Sequence, residues 1–203
     1  MQKTTNNIAH IIVAAGSSSR LGSPKQLLAW KNSTLIGHEV EKSLQLKNLT
    51  TFVVLGANFE LIQKEIKHFS VEILYNQNWK SGMGSSISFG IQHIMEVQRS
   101  FDAALITLVD QPLIDTIHLD SLISKFNKNK DTVVATAIKD RRGVPAIFPK
   151  TFFKELLGLK EDYGARHIMK KYKDHIMTID GKGKTDDIDT IEQYNVLLKR
   201  DKE

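Results

Sequence analysis

An α/β domain whose mostly parallel sheet is covered by helices on both faces is the fold class this sequence predicts. Three observations carry it. Short apolar runs alternate with amphipathic stretches along the whole chain, the pattern of repeated strand–helix–strand units. Several of these runs are apolar without interruption, as strands buried on both faces are. The chain has 203 residues, 41% hydrophobic and 25% charged, which suits one compact domain with a core that stands without staples.

The elements follow in order. Residues 1–7 are polar and read as a flexible extension, with a single domain over residues 8–199. Ile8–Ala14 is the first strand. It has the length of a signal-peptide core, but it lacks a basic leading segment and runs at once into a Gly/Ser loop, so a cytoplasmic protein is expected. Further strands are predicted at 51–55, 71–75, 103–109, 132–136, 146–148 and 176–179, each a short run rich in branched apolar residues. In 35–46, Ile36, Val40 and Leu44 recur every four residues and share one helical face. Stretches 59–66 and 85–97 read the same way. A helix over 117–126 follows Asp115 and Thr116, both suitable caps, and one over 191–198 follows Asp189 and Thr190. No repeat and no linker divides the chain.

Composition removes whole classes of function. With no cysteine there is no disulfide framework, no thiolate metal site and no thiol nucleophile. No apolar run approaches the length of a membrane-spanning helix, so no membrane partner is expected. The net charge is +5, but the cations are scattered and not interleaved with aromatic residues. A solvated surface is expected rather than nucleic-acid binding. The seven histidines form no metal-binding pair, and no Gly-x-Ser-x-Gly marks a nucleophilic serine.

In a sheet of this kind ligands sit beyond the carboxyl ends of the strands, so the loops after strands carry the candidates. The first reads Ala14-Ala15-Gly16-Ser17-Ser18-Ser19-Arg20-Leu21-Gly22-Ser23-Pro24-Lys25. Its small residues let backbone N–H groups approach an anion, and Arg20 and Lys25 add positive charge. It is neither a Walker loop nor a dinucleotide fingerprint. A surface turn with two solvated cations is the alternative. The second segment is Gly82-Met83-Gly84-Ser85-Ser86, at a helix start that offers free N–H groups to a base, ribose or phosphate; a turn capped by Ser85 is the alternative. The third is Asp110-Gln111-Pro112, a carboxylate directly after a strand, either a magnesium ligand beside bound phosphates or a helix cap. The fourth is Asp186-Asp187-Ile188-Asp189-Thr190, where one acid could complete a metal site with Asp110, or where Asp189 or Thr190 simply caps the last helix. Arg142-Gly143-Val144-Pro145 and Gly164-Ala165-Arg166 place cations beside glycines, as turns or as a seat for a second anion.

In this order and spacing the segments resemble the molybdenum cofactor cytidylyltransferases and their guanylyltransferase relatives. The resemblance runs from about Ile8 to Leu198. Its most specific part is Ala14-Ala15-Gly16-x-Ser18-x-Arg20-x-Gly22-x-x-Lys25-Gln26-Leu27-Leu28. It implies a single three-layer α/β/α domain with a Rossmann-like, mostly parallel mixed sheet of the nucleotide-diphospho-sugar transferase type. It also implies transfer of a nucleoside monophosphate from an NTP to a terminal phosphate, with release of pyrophosphate. Ala14, Ala15, Gly16, Ser17, Ser18 and Ser19 would embrace base and triphosphate, and Arg20 and Lys25 would neutralise the phosphates. Gly82, Met83, Gly84, Ser85 and Ser86 would line the base and ribose pocket, and Asp110 and Asp189 would hold Mg²⁺. Arg142, Gly143 and Arg166 are candidates for the acceptor.

The Ala14-Ala15-Gly16 variant is similar to the cytidylyl branch. A β-carbon at Ala15 narrows the pocket and favours a pyrimidine, so CTP is the expected nucleotide and molybdopterin the expected acceptor. A molybdoenzyme or its chaperone is a possible recipient of the product. Ile191, Gln193 and Glu161 depart from the family pattern, at a helix start and a turn. A phosphate nucleophile is already ionised near neutral pH and needs no general base, which agrees with a chain that offers no clear one.

Overall fold

The computed structural model describes residues 7–160 and 164–201. Residues 1–6 of the expected extension, and Glu161 of the turn, lie outside them. The chain runs β1 (Ile8–Ala14), β2 (Ala29–Trp30), β3 (Ser33–Thr34), α1 (Leu35–Gln45), β4 (Leu49–Leu55), α2 (Phe59–Ile66) and β5 (Glu72–Tyr75). It continues through α3 (Met83–Glu96), β6 (Ala103–Leu108), α4 (Thr116–Lys128), β7 (Val133–Ile138), β8 (Arg141–Pro149) and α5 (Phe153–Leu157). It closes with α6 (Arg166–Lys171), β9 (Ile176–Asp180) and α7 (Ile191–Arg200).

Seven strands form one sheet in the order β5-β4-β1-β6-β8-β7-β9. β1 pairs in parallel with β4 on one side and β6 on the other, so the strand order switches direction at β1 and opens a crevice beyond Ala14. β8 alone runs antiparallel, against both β6 and β7, which makes the sheet mixed. The helices form two layers. Ile11 and Val13 face Ile87, Ile91, Phe153 and Met169 of α3, α5 and α6. Ile12 and Ala14 face Ile36, Val40, Ile62 and Leu197 of α1, α2 and α7. α4 covers the rest of that second face through Leu119, Leu122 and Phe126. The three-layer α/β/α expectation therefore describes the molecule. Among the described residues no helix is long and apolar enough to cross a membrane.

Where β8 begins, structure and sequence expectation part. Arg142-Gly143-Val144-Pro145 was open to reading as a turn, with a strand only over 146–148; the strand spans Arg141–Pro149. Pro145 has no N–H to give a ladder, and the chain accommodates it with a register shift between Ala135 and Thr136 of β7. The Val144–Pro145 peptide is cis. Thr136 Oγ1 donates to the Pro145 carbonyl at 2.7 Å, so the irregular strand still has its buried polar group satisfied.

His10 stands in β1 with no exposed surface. Its Nδ1 lies 2.6 Å from Ser43 Oγ and its Nε2 3.0 Å from Thr107 Oγ1, with Ser43 bonded onward to Thr51 at 2.7 Å. Burial, with a smaller push from the Lys42 ammonium, lowers its pKa from 6.5 to about 3. His38 is lowered to about 4 and His118 is lowered too, burial being the main cause in each. The unfolded chain therefore takes up these protons first. Stability is intact above pH 6.5 and is lost as pH falls from 6.5 through the folded values, by about 1.4 kcal/mol per unit of depression. Urea midpoints measured from pH 8 to pH 4.5 should hold steady and then fall below pH 6.5, and His10→Asn should flatten that fall. A wild-type midpoint independent of pH over this range would contradict the account.

Candidate active site

The site is built where β1 and β6 end. After Ala14 the chain passes close to Gly56 and Trp79. A β-carbon on Gly56 would lie 2.7 Å from the Ala15 carbonyl and would also collide with Trp79 Cβ. The Ala15 carbonyl is instead held by Ala57 N–H at 3.0 Å. The loop turns through Ser18, which adopts a left-handed conformation (φ 57°), and Gly22 (φ 71°). Gln26, almost wholly buried, locks it from inside. Its Nε2 donates to the carbonyls of Ala14 at 2.8 Å and Gly16 at 2.9 Å. Lys25 N–H donates to Ser18 Oγ at 3.0 Å. Leu21 adds apolar packing against the core, so hydrogen bonds and packing together fix the loop.

A second segment, residues 184–190, runs beside the chain that follows β6. Ile188, fully buried, donates its N–H to the Asp110 carbonyl at 2.9 Å. Gln111 Nε2 donates to Asp187 Oδ1 at 2.9 Å. Lys184 forms an ion pair with Asp115. Asp115 also caps α4, accepting from His118 N–H at 2.9 Å. Thr190 caps α7 in a reciprocal box with Gln193. That resolves the ambiguity in the sequence: Thr190 does the capping, and the Asp189 side chain is left for the cleft. It also gives the departure at Gln193 a structural role.

These segments bring the candidate charges together. Lys25 Nζ lies 2.9 Å from Asp110 Oδ2 and 2.9 Å from Asp189 Oδ1, and donates to the Ile188 carbonyl at 2.7 Å. Arg20 reaches Asp189 Oδ2 at 3.0 Å from a largely exposed position. Burial alone would lower the Lys25 pKa, but the Asp110 and Asp189 carboxylates outweigh it and hold the ammonium above its ordinary value. Burial would raise Asp189; Lys25 and Arg20 outweigh it and depress the carboxyl. Asp187 is raised, first by burial and then by the neighbouring charge of Asp110.

The cleft they border has a volume of about 490 Å³ and is lined by residues 13–20, Lys25, Gln26, Trp79, Lys80, Gly82, Met83, Ser86, residues 108–110, Asp187 and Asp189. Every first-loop candidate from Ala14 to Arg20 lies on its wall. Of the second segment only Gly82, Met83 and Ser86 do. Gly84 is buried in α3, and Ser85 Oγ turns back to the Asn78 and Gly82 carbonyls. Ser85 is not the cap of this helix, which begins at Met83 after Gly82 with no side-chain cap. Arg142, Gly143 and Arg166 lie apart, around an adjoining pocket of about 220 Å³ that also contains Gln111 and Asp187.

The residues fit a divalent cation. Two carboxylates converge on one point, and Asp110 Oδ1 is buried without a hydrogen-bond partner. Oxygen-only donors suit a hard ion such as Mg²⁺ or Mn²⁺. Among the described residues no three acids or histidines close into a metal cage. Phosphate oxygens and water would therefore complete the coordination, as is usual for magnesium.

Residues 10–176 match the sequence profile of the MobA-like NTP transferase domain. The chain belongs to this family. It is similar to nicotine blue oxidoreductase of Paenarthrobacter nicotinovorans, 28% identical over 200 residues covering 94% of this chain and 96% of the relative. It is also similar to the purine catabolism protein PucB of Bacillus subtilis, at 26% over 93% and 95%. The molybdenum cofactor cytidylyltransferase of Escherichia coli aligns over 40% of this chain and 42% of its own length, at 27% identity. The fold matches that of Rv0371c from Mycobacterium tuberculosis, with a TM-score of 0.81 at 24% identity over 95% and 98% of the two chains. A manganese complex of that protein superposes at 0.76 and 22% identity, covering 95% and 98%.

The MobA-like domain is a nucleotidyltransferase by family, and sequence reasoning gave no specific role to five residues in or beside the cleft. Gln26 was legible only as part of a motif. Asp187 was one of three neighbouring acids, with spacing alone unable to say which pointed inward. Trp79 and Lys80 lie in a short turn just ahead of the Gly82 segment, outside the residues that segment marked. Gly56 needed the close approach of Ala15 and Trp79 to show its purpose.

Proposed function

We infer that this MobA-like domain transfers CMP from CTP to the terminal phosphate of molybdopterin and releases pyrophosphate. One observation carries the reading. Two cations of the first loop and two carboxylates from segments far away in sequence meet at the mouth of one small-residue cleft. An acceptor phosphate oxygen attacks the α-phosphorus, the bond to the bridging oxygen breaks, and pyrophosphate carries away the electron pair. No proton has to be removed from the nucleophile, so positioning and charge neutralisation do the work. Ala14 to Ser19 surround the triphosphate and base, with Gly82, Met83 and Ser86 opposite. Arg20 and Lys25 neutralise the phosphates. Asp110 and Asp189 hold Mg²⁺, which supplies further charge neutralisation when bound.

The acceptor enters from the adjoining pocket. Arg142 Nε is buried there without a partner, a donor that an acceptor phosphate would satisfy, and Arg166 stands exposed on the rim. Gly143 keeps the wall thin; a β-carbon there would collide with Ile138 Cδ1. The product then passes to a molybdoenzyme or its chaperone. A second reading keeps the chemistry and changes the acceptor to a sugar phosphate or similar alcohol. The groove of about 840 Å³ next to this pocket favours it, since Asp186 and Glu192 mixed with Arg141 and Arg200 suit a hydroxyl-rich body.

Incubation with CTP, GTP or ATP, Mg²⁺ and molybdopterin, reading pyrophosphate and dinucleotide, tests the reading; a sugar-phosphate panel separates the second. Pyrophosphate from no acceptor despite tight CTP binding would leave only a nucleotide-binding module. Calorimetric titration should show CTP binding more tightly than GTP. Ala15 lines the cleft and is nearly buried, so Ala15→Gly should shift that ratio toward GTP by about tenfold, the scale of one methyl group in a fitted pocket. Tighter GTP binding by the unaltered chain would overturn the nucleotide assignment.

A further inference from the structure

The bonds of Lys25 point to a competition that the proposed reaction must resolve. An ammonium group has three N–H donors, and all three are used: on Asp110 Oδ2, on Asp189 Oδ1 and on the Ile188 carbonyl. None is left for a phosphate. The two carboxylate oxygens that hold it are also the ones that face each other across the candidate metal position. A divalent ion binding both oxygens at about 2.1 Å occupies the space where the ammonium now sits, 2.9 Å from each.

We propose that Lys25 and the divalent cation hold the Asp110–Asp189 pair in turn. In the nucleotide-free protein the ammonium bridges the carboxylates and keeps them together. When a metal takes the pair, the ammonium is released toward the cleft, where a triphosphate receives it. This rests on the reading of Asp110 and Asp189 as metal ligands.

Three features support an exchange rather than a fixed ion pair. The Lys25 side chain is mostly shielded (12% exposed), yet it lines the cleft, so a short swing reaches it. Its backbone is pinned by Ser18 and by the short turn over Lys25–Leu27, so the side chain moves and the loop does not. The carbonyl that takes its third bond belongs to Ile188, whose N–H is tied to Asp110, so the seat persists after the ammonium leaves. Metal affinity without nucleotide is then reduced by the fraction of molecules in which Lys25 occupies the seat. Nucleotide, by drawing the ammonium away, strengthens metal binding, and the metal strengthens nucleotide binding by the same factor.

Mn²⁺ binding to the nucleotide-free protein, followed by the paramagnetic resonance signal of the free ion, tests this directly. Lys25→Met, which keeps the length and removes the ammonium, should bind Mn²⁺ about tenfold or more tightly than the unaltered chain. Arg20→Gln removes a cation from the same Asp189 but leaves the bridge, and an exposed pair of that kind should change affinity only about twofold. Lys25→Met combined with Asp110→Asn should lose the gain. In the unaltered protein, mass-spectrometric acetylation at Lys25 should quicken when saturating Mg²⁺ is added, which keeps the test independent of how the variants fold. Equal Mn²⁺ affinity in Lys25→Met and the unaltered chain, with binding still weakened by Asp110→Asn, overturns the competition but leaves the metal reading standing. A gain as large in Arg20→Gln overturns it too, as a general charge effect. Mn²⁺ binding insensitive to Asp110 and Asp189 in every variant overturns both.

Discussion

Replacing Lys25 with alanine should lower turnover at saturating CTP by on the order of 10²-fold or more, the scale found when one stabilising donor is removed from a transition state. Charge gathers on the phosphate oxygens as the bond to pyrophosphate breaks. Among the described residues Lys25 is the one cleft cation that is both shielded and tethered by its backbone to the loop beneath the phosphates. Arg20 is 69% exposed and sits in higher dielectric, where the same charge is worth less, so Arg20→Ala should cost less. The loss in Lys25→Ala would fall on turnover more than on nucleotide affinity, because Arg20, the loop amides and the metal still hold the ground-state triphosphate. Shielded Asp110 loses an ion-pair partner in this variant, at a cost of about 1–3 kcal/mol, so a thermal melt should accompany the kinetics. Steady-state pyrophosphate release decides it: near-normal turnover in a folded Lys25→Ala protein would remove Lys25 from the mechanism.

Much of the fold was legible because burial writes itself into sequence. β1, β4 and β6 lie inside the sheet with neighbours on both sides, and their mostly apolar, non-alternating runs announce this. β8 was legible only in its buried half; its first residues are polar and contain Gly143 and Pro145, which mimic a turn. α5 and α6 have five and six residues, too few for a periodic signal. β2 and β3 have two each. The site divides in the same way. Asp110 was visible from its place after a strand, and Arg20 and Lys25 from their spacing in a small-residue loop. The mutual bonding of Lys25 with both acids was not visible, since it depends on Ile188 being drawn into the core between them. Nor was the division of labour between Thr190 and Asp189, which turns on the side chain of Gln193 closing the capping box. Sequence spacing placed these groups near one another; only packing decided which side chain was left to face the cleft.

Asp110→Asn should abolish tight Mn²⁺ binding and lower turnover by roughly 10³-fold, the upper range for losing a single electrostatic contact at a transition state. The carboxylate meets Lys25 through Oδ2 at 2.9 Å, the oxygen a cation would take in the ammonium's place, and its Oδ1 is buried with no partner, so the group is already largely stripped of water when a cation arrives. Asparagine preserves the size but presents a neutral amide, and its NH₂ group turned toward Lys25 places donor against donor. The fold should survive, because the backbone bond that matters here runs from Ile188 N–H to the Asp110 carbonyl and does not involve the side chain. Gln111 likewise keeps its hold on Asp187. Asp189→Asn should be milder, since that carboxylate is partly exposed and shared between Lys25 and Arg20. An Asp110→Asn protein with undiminished pyrophosphate release in Mg²⁺ would show that the metal binds elsewhere, and the ordering of the two variants tests whether the more shielded carboxylate, rather than charge alone, is what the cation uses.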